Sequence, residues 1–305
     1  MENLQRLRVL RAVAQHGSFT AAGAVLGMSQ PAVSQHVTTL ERELETRLVE
    51  RTTLGTRLTP EGELVLRHAM RILASCDDVR RELDELRSGD LAPVRVAAFP
   101  TACGQLLPRA AALWRRRYPS VPFEFTECDA DEAVESARHG TADLALTYDY
   151  AAHPIDLRHL APHPLPDDPL LLALPVSHPL ATAPVVEIGM LADEAWISGT
   201  SFGCAESLRA VCGVAGFTPV IALDSNRYPT TLAMVAAGHG VALVPSSALL
   251  DPPPDVTVRP LRPVPAPRRL WALTRHRPAT AVSHLLDCLV ATATPHRHPA
   301  QRKAG

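Results

Sequence analysis

The sequence predicts an α/β protein with a helical N-terminal module, and three observations carry that reading. Of 28 prolines only Pro31 and Pro60 precede residue 90, so the early chain tolerates long helices and the remainder does not. From Val94 onward, short apolar runs alternate with amphipathic stretches, the pattern of strands separated by helices. Between these regions, apolar residues recur every seven positions over residues 65–86, as in one long helix with a seam.

A chain of 305 residues predicts two or three domains, and 46% hydrophobic against 20% charged residues supplies a core. The 30 Lys and Arg against 32 Asp and Glu exclude a globally basic nucleic-acid coat and an acidic tail protein. The charge is unevenly spread, however: residues 1–60 hold seven Arg and five Glu, residues 61–88 five Arg and seven acids. The six cysteines include no Cys-x-x-Cys pair, which excludes that zinc or redox motif. Glu2, Arg6, Arg8 and Arg11 leave no apolar stretch for a signal peptide, so a cytoplasmic location is expected. Charge-free runs at Pro169–Val186 and Tyr228–Leu250 are broken by Pro and Gly and do not read as membrane spans.

The first helix is expected from Leu4, with Leu4, Leu7, Leu10 and Ala14 on one face and Gly17 as terminator. Ser18 is the N-cap of a short helix, Thr20–Leu26, ended by Gly27. Ser29 caps the next helix, with Pro31 in its first turn and Val33, Val37, Leu40 and Leu44 facing inward. Its outer face carries Pro31, Ser34, Gln35, Thr38 and Arg42, with no acid in the N-terminal half. A second helix of this kind lies in a DNA major groove, where Gln reads base edges and Ser or Thr reaches bases or phosphates. The plainer reading is an ordinary three-helix packing unit.

Thr59 caps a helix that Pro60 can start, running to about Ser88. Val65, Ile72, Val79 and Leu86 form one row of its seam; Ala69, Cys76 and Leu83 form the other. At 1.5 Å per residue it is about 43 Å long, and homodimerisation explains it better than packing on its own chain.

Strands are expected at Val94–Phe99, Phe123–Glu127, Leu144–Thr147, Leu170–Leu174, Val220–Leu223, Val241–Val244 and Leu270–Thr274. Helices are expected at Leu106–Tyr118, Ala130–His139, Cys204–Ala215, Thr230–Ala237 and Ala279–Val290. The alternation argues for a mainly parallel sheet. Two lobes with crossing connections fit the order: residues 92–163 plus 265–292, and 164–264. Residues 293–305 read as a disordered tail.

The run Gly17-Ser-Phe-Thr-Ala-Ala-Gly-Ala-Val-Leu26, then Ser29-Gln-Pro-Ala-Val-Ser-Gln-His-Val-Thr-Thr-Leu-Glu41, resembles the LysR-type transcriptional regulators. So do Leu48-Val-Glu-Arg51, Leu58-Thr-Pro-Glu-Gly62, Gly140-Thr-Ala-Asp-Leu-Ala-Leu146 and Met234-Val-Ala-Ala-Gly-His-Gly-Val-Ala-Leu-Val-Pro245. The resemblance implies a winged helix-turn-helix over residues 1–59, a dimerising linker helix over 60–89, and a periplasmic-binding-protein-like effector domain over 90–292. It implies DNA contacts from Ser18, Thr20, Ser29, Gln30, Pro31, Ser34, Gln35, His36 and Thr38, with Arg51 and Arg57 flanking the wing. Val49 stands where Phe is usual, Leu54 where a basic wing residue is common, and His36 where Gln is common. The implied partners are an imperfect palindromic DNA operator, a small effector, a second or further copy of the chain, and RNA polymerase, with no membrane. No cofactor, metal site or enzyme activity is implied.

Ligands of open α/β sheets lie beyond the carboxyl ends of strands, where helix N-termini offer free N–H groups. Three segments fit: Pro100, Thr101, Ala102 and Cys103; Ser198, Gly199, Thr200, Ser201 and Phe202; and Asn226, Arg227 and Tyr228. Tyr148 follows a strand and is expected in the same cleft. Hydroxyls and N–H groups there favour a polar or anionic effector. Two alternatives stand beside this one. Peroxide-sensing members of the family carry two cysteines near Cys204 and Cys212, spaced by nine rather than eight. A helix through Cys204 and Cys212 holds them about 12 Å apart along its axis, so a disulfide would require unwinding. A two-lobe α/β enzyme or solute-binding protein would leave residues 1–88 unexplained, and no Gly-x-Ser-x-Gly elbow occurs.

Overall fold

The structure is a computed structural model and describes residues 4–52, 55–88, 93–199 and 203–293. The side chains of Arg51 and Leu86, all of Thr200, Ser201 and Phe202, and the tail from residue 294 lie outside the described residues. The chain divides into two compact units, one built on residues 1–92 and the other on most of the remainder.

The first unit contains α1 (Leu4–His16), α2 (Phe19–Leu26) and α3 (Gln30–Glu43). An antiparallel hairpin follows, β1 (Val49–Thr52) with β2 (Gly55–Leu58), and then the 29-residue α4 (Pro60–Ser88). Ser18 and Ser29 begin α2 and α3 by accepting the N–H groups of Ala21 (3.0 Å) and Ala32 (3.4 Å). Those donors have no partner inside the helix, which is why a Ser stands at each start.

Helix α1 buries two sides rather than the single stripe expected. Val9, Ala12 and Val13 pack with Phe19, Ala22, Val33 and Val37, while Leu7 and Leu10 pack with Leu40, Leu48, Ala69 and Leu73. Leu4, expected on the buried face, is 38% exposed. The cause is position: α1 lies between the α2–α3 pair and α4.

Thr59 accepts the Gly62 N–H at 3.0 Å and donates to the Arg47 carbonyl at 2.7 Å, fixing the start of α4. Gly62 permits a close crossing, because a Cβ there would lie 2.0 Å from the Leu48 carbonyl oxygen. The seam of α4 is divided. Ala69 is buried against α1, with Val65 and Ile72 packed partly against the same cluster, so this half is covered by its own chain. That corrects the assignment of Ala69 to a partner contact. Further along, Cys76 is half-buried, and Val79 and Leu83 are 56% and 44% exposed.

The second unit begins with β3 (Val94–Ala98), α5 (Pro100–Gly104), α6 (Leu106–Arg117), β4 (Phe123–Glu127), α7 (Ala130–His139), β5 (Leu144–Asp149) and β6 (Ala161–Pro164). It continues with β7 (Leu170–Pro175), β8 (Val186–Glu187), β9 (Ala195–Ser198), α8 (Cys204–Val214), β10 (Val220–Asp224), α9 (Tyr228–Ala236) and β11 (Ala242–Pro245). It ends with β12 (Val256–Arg259), β13 (Leu261–Arg262), β14 (Arg269–Thr274) and α10 (Thr280–Thr292). One lobe is the sheet β4-β3-β5-β14-β6. The other joins β10-β9 to β11-β7-β12 through a parallel bridge between Trp196 and Val241.

Both lobes follow one plan. In each, the second strand lies outside the first and the third lies on its other side, all parallel; two further strands add antiparallel. The sheets are therefore mixed, not mainly parallel as expected. Strands β14 and β7 are reached by direct crossings between lobes without a helix, which frees them from the parallel direction that a helical crossover imposes. Trp196, Leu172, Leu174 and Leu208 centre the core on one face of the second sheet, and Leu171, Ile197, Val235 and Val244 on the other.

Candidate functional site

The two crossing segments between the lobes meet at Asp168 and Arg268. Their backbones form an antiparallel bridge, Asp168 N–H to Arg268 O at 2.9 Å and Arg268 N–H to Asp168 O at 3.0 Å. The Arg268 Nη2 donates to Asp168 Oδ2 (2.7 Å), Thr101 Oγ1 (2.8 Å) and Ser247 Oγ (2.8 Å). Asp168 Oδ1 accepts from the Ser246 hydroxyl (3.0 Å) and the Ser247 N–H (3.1 Å). The guanidinium lies 4.3 Å from the Tyr148 ring centroid and 5.0 Å from that of Phe99. Arg268 and Asp168 are both fully buried. Burial is the largest single influence and by itself would weaken the Arg268 charge, but Asp168 together with Tyr228, Tyr150 and Tyr148 holds the pKa above its ordinary value.

Above this pair lies a cavity of about 250 Å³, lined from both lobes. Four strand-to-helix turns reach it: after β3 (Pro100, Thr101), after β4 (Glu127, Asp129), after β9 (Ser198, Gly199) and after β10 (Ser225, Asn226, Arg227). Gly199 allows the last two turns to touch, since a Cβ there would meet Asn226 Oδ1 at 2.5 Å. Tyr148, Tyr150 and Tyr228 add three phenol groups, and burial pushes all three pKa values up, so they remain neutral.

Of the residues expected in the cleft, Pro100, Thr101, Tyr148, Ser198, Gly199, Asn226, Arg227 and Tyr228 line it. Ala102 and Cys103 do not. Ala102 is buried, and the Cys103 thiol lies 3.5 Å from the Ala98 carbonyl, because each further residue of α5 rotates about 100° away from the cleft. Burial pushes the Cys103 thiol up to about 11. Sequence reasoning missed Arg268, Tyr150, Phe99, Glu127 and Asp129. A signal existed for Tyr150, two residues beyond Tyr148 on the same strand end; none existed for Arg268.

Cys204 lines the cavity with its Sγ 3.6 Å from the Tyr150 hydroxyl. Cys212 is buried in the core of the second lobe, and burial pushes its thiol up to about 11. Helix α8 runs unbroken through both. The geometry thus keeps the two sulfurs apart and one of them protonated.

In the first unit, α3 turns Gln30, Pro31, Gln35, Thr38 and Arg42 to solvent, with Ser34 and His36 half-buried. Thr20 on α2 and Arg57 on β2 are also exposed, and Arg57 stands opposite Glu50 across the hairpin. The acids of α3 are engaged within the unit. Glu41 accepts the N–H groups of Leu48 (2.8 Å) and Val49 (3.3 Å), and Glu43 is ion-paired with Arg6, which holds its carboxyl below the usual range. The exposed face is therefore poor in free negative charge.

Residues 4–63 match the bacterial regulatory helix-turn-helix protein, lysR family, and residues 87–294 match the LysR substrate binding domain. The chain is 30% identical over 293 residues to the probable HTH-type transcriptional regulator LrrA of Synechococcus elongatus, covering 95% of this chain and 97% of the relative. Full-length OxyR from Pseudomonas aeruginosa, a cysteine-to-aspartate variant, superposes with a TM-score of 0.72 at 26% identity, covering 98% of each chain. Full-length CbnR complexed with its target DNA shares the fold, with a TM-score of 0.65 at 22% identity over 95% of this chain and 100% of that one. The two family matches account for both units, and the chain belongs to the LysR family of transcriptional regulators, DNA-binding proteins rather than enzymes.

Proposed function

We propose that this regulator binds operator DNA through α3 and the β1–β2 wing, and that a small effector in the interlobe cleft shifts it between two states. The observation that carries the reading is the cavity of about 250 Å³, walled by both lobes directly above the chain crossing. A ligand touching both lobes favours whichever lobe arrangement it fits better, and only that difference in affinity moves the equilibrium. Gln30 and Gln35 are assigned to base edges, with Ser34, His36 and Thr38 beside them. Ser18, Thr20, Ser29, Arg51 and Arg57 are assigned to phosphates.

The exposed row Val79 and Leu83 on α4 supports pairing with a second copy, which would present two recognition helices to half-sites of an imperfect palindrome. No helix among the described residues is long and apolar enough to cross a membrane. We place the regulator in the cytoplasm, with RNA polymerase as the partner whose access or recruitment it alters. The test is Ser198→Phe, which fills the cleft. The variant is expected to keep operator affinity and lose the response to the effector; a retained response would move the site elsewhere.

A further inference from the structure

Because the lobes share one plan, the β4–α7 turn of the first lobe and the β10–α9 turn of the second are equivalent places. Both line the cavity, and they carry opposite charge: Glu127 and Asp129 on one, Arg227 on the other. All three side chains are exposed, and the described residues supply no hydrogen-bond or ion-pair partner for any of them. Deeper in, Arg268 lines the same cavity fully buried, and its Nε has no partner among the described residues. The Arg268 charge is already matched by Asp168 and its Nε is closed off from the cavity, so this arginine forms the cavity floor rather than a second free charge.

These features decide against a ligand of one sign. A lone anion meets Glu127 and Asp129; a lone cation meets Arg227 and the N-termini of α8 and α9. Between the two poles the wall is apolar, with Phe99, Tyr148, Leu170, Ile197 and Leu243. A dry cavity of roughly 150 Å³ holds benzene, so about 250 Å³ fits a ligand of roughly ten non-hydrogen atoms.

We propose that the effector is a small amphoteric molecule with an apolar body, its ammonium group held by Glu127 and Asp129 and its carboxylate by Arg227. The assignment rests on the cleft being the effector site. Such a molecule joins oppositely charged turns of the two lobes, so it binds best when the lobes approach.

Two triads of probes test this by calorimetry on the full chain. One is 4-(aminomethyl)benzoate, 4-methylbenzoate and 4-methylbenzylamine; the other is leucine, 4-methylpentanoate and 3-methylbutylamine. In at least one triad the amphoteric member is expected to bind at least about fivefold tighter than either singly charged relative, the upper range for one exposed ion pair. Glu127→Gln with Asp129→Asn should erase its advantage over the carboxylate, and Arg227→Gln its advantage over the amine. All three changes are at exposed positions, and an unchanged melting temperature checks that the fold is intact. An amphoteric advantage below about fivefold in both triads, an unchanged ranking in the variants, or no binding by any of the six overturns the amphoteric assignment. The cleft itself is judged separately: probe binding that is lost in Ser198→Phe keeps the cleft as the site, and binding that survives rejects it.

Discussion

Asp168 and Arg268 lie 100 residues apart and are joined twice, by a backbone bridge and by a 2.7 Å ion pair with both side chains fully buried. The pair ties together the two places where the chain passes between lobes. Removing one partner leaves the other as an uncompensated buried charge. Asp168→Ala is therefore expected to cost about 3–5 kcal/mol in denaturant unfolding. Replacing both, as Asp168→Ala with Arg268→Met, should cost less than the sum of the single changes; strict additivity would show that the two do not act as a pair.

On the first unit, Gln35→Ala should weaken binding to a specific operator by about 1–3 kcal/mol and leave binding to scrambled DNA and the melting temperature unchanged. Fluorescence anisotropy with both duplexes checks this. An equal loss on both would assign Gln35 to phosphate contact.

The divided seam of α4 separates two effects that the heptad pattern alone merges. Leu83→Asp, at an exposed position, should shift the sedimentation profile toward monomer without lowering stability. Ile72→Asp should lower the melting temperature as well, because Ile72 packs on the Leu7–Leu10–Leu73 cluster of its own chain. Equal melting temperatures for the two variants would count against this division.

The cysteines of α8 should differ in reactivity. With its pKa raised to about 11, the Cys212 thiol is protonated at pH 8 and buried. A thiol reacts as its thiolate, so iodoacetamide should label Cys204 on the native protein well before Cys212. Mass spectrometry of the labelled peptides reads this directly. Comparable labelling would show α8 opening and would revive the dithiol alternative.

Local features of the first unit were legible because caps, periodicity and turn residues act over a few positions. Ser18, Ser29 and Thr59 each cap the helix expected of them. The expected strands from Val94 to Thr274 coincide with observed strands to within two residues; the buried β7 and β11 show as continuous apolar runs, whereas the exposed β4 shows as an alternating Phe-Glu-Phe. Strands β6, β8, β9, β12 and β13 escaped notice; the β6 sequence, Ala-Pro-His-Pro, argues against a strand and is tolerated because β6 is the edge of its sheet. A heptad stripe says that something covers it, not whether the cover is a partner or α1, and Ala69 went to α1. Cleft residues at strand ends and helix starts, such as Ser198 and Thr101, followed from topology. Arg268 and Asp168 did not, because no local pattern marks a pair that only tertiary folding brings together.

The shared plan of the lobes has a pharmacological consequence. Each charged turn belongs to one lobe, so a molecule that satisfies a single turn occupies half the cleft without bridging the gap. Under the proposed assignment of the cleft, such a compound would compete with the effector for space while withholding the signal. Antagonists of this regulator should therefore be found among truncated analogues that lack one of the two charges, and they need be no larger than the effector itself.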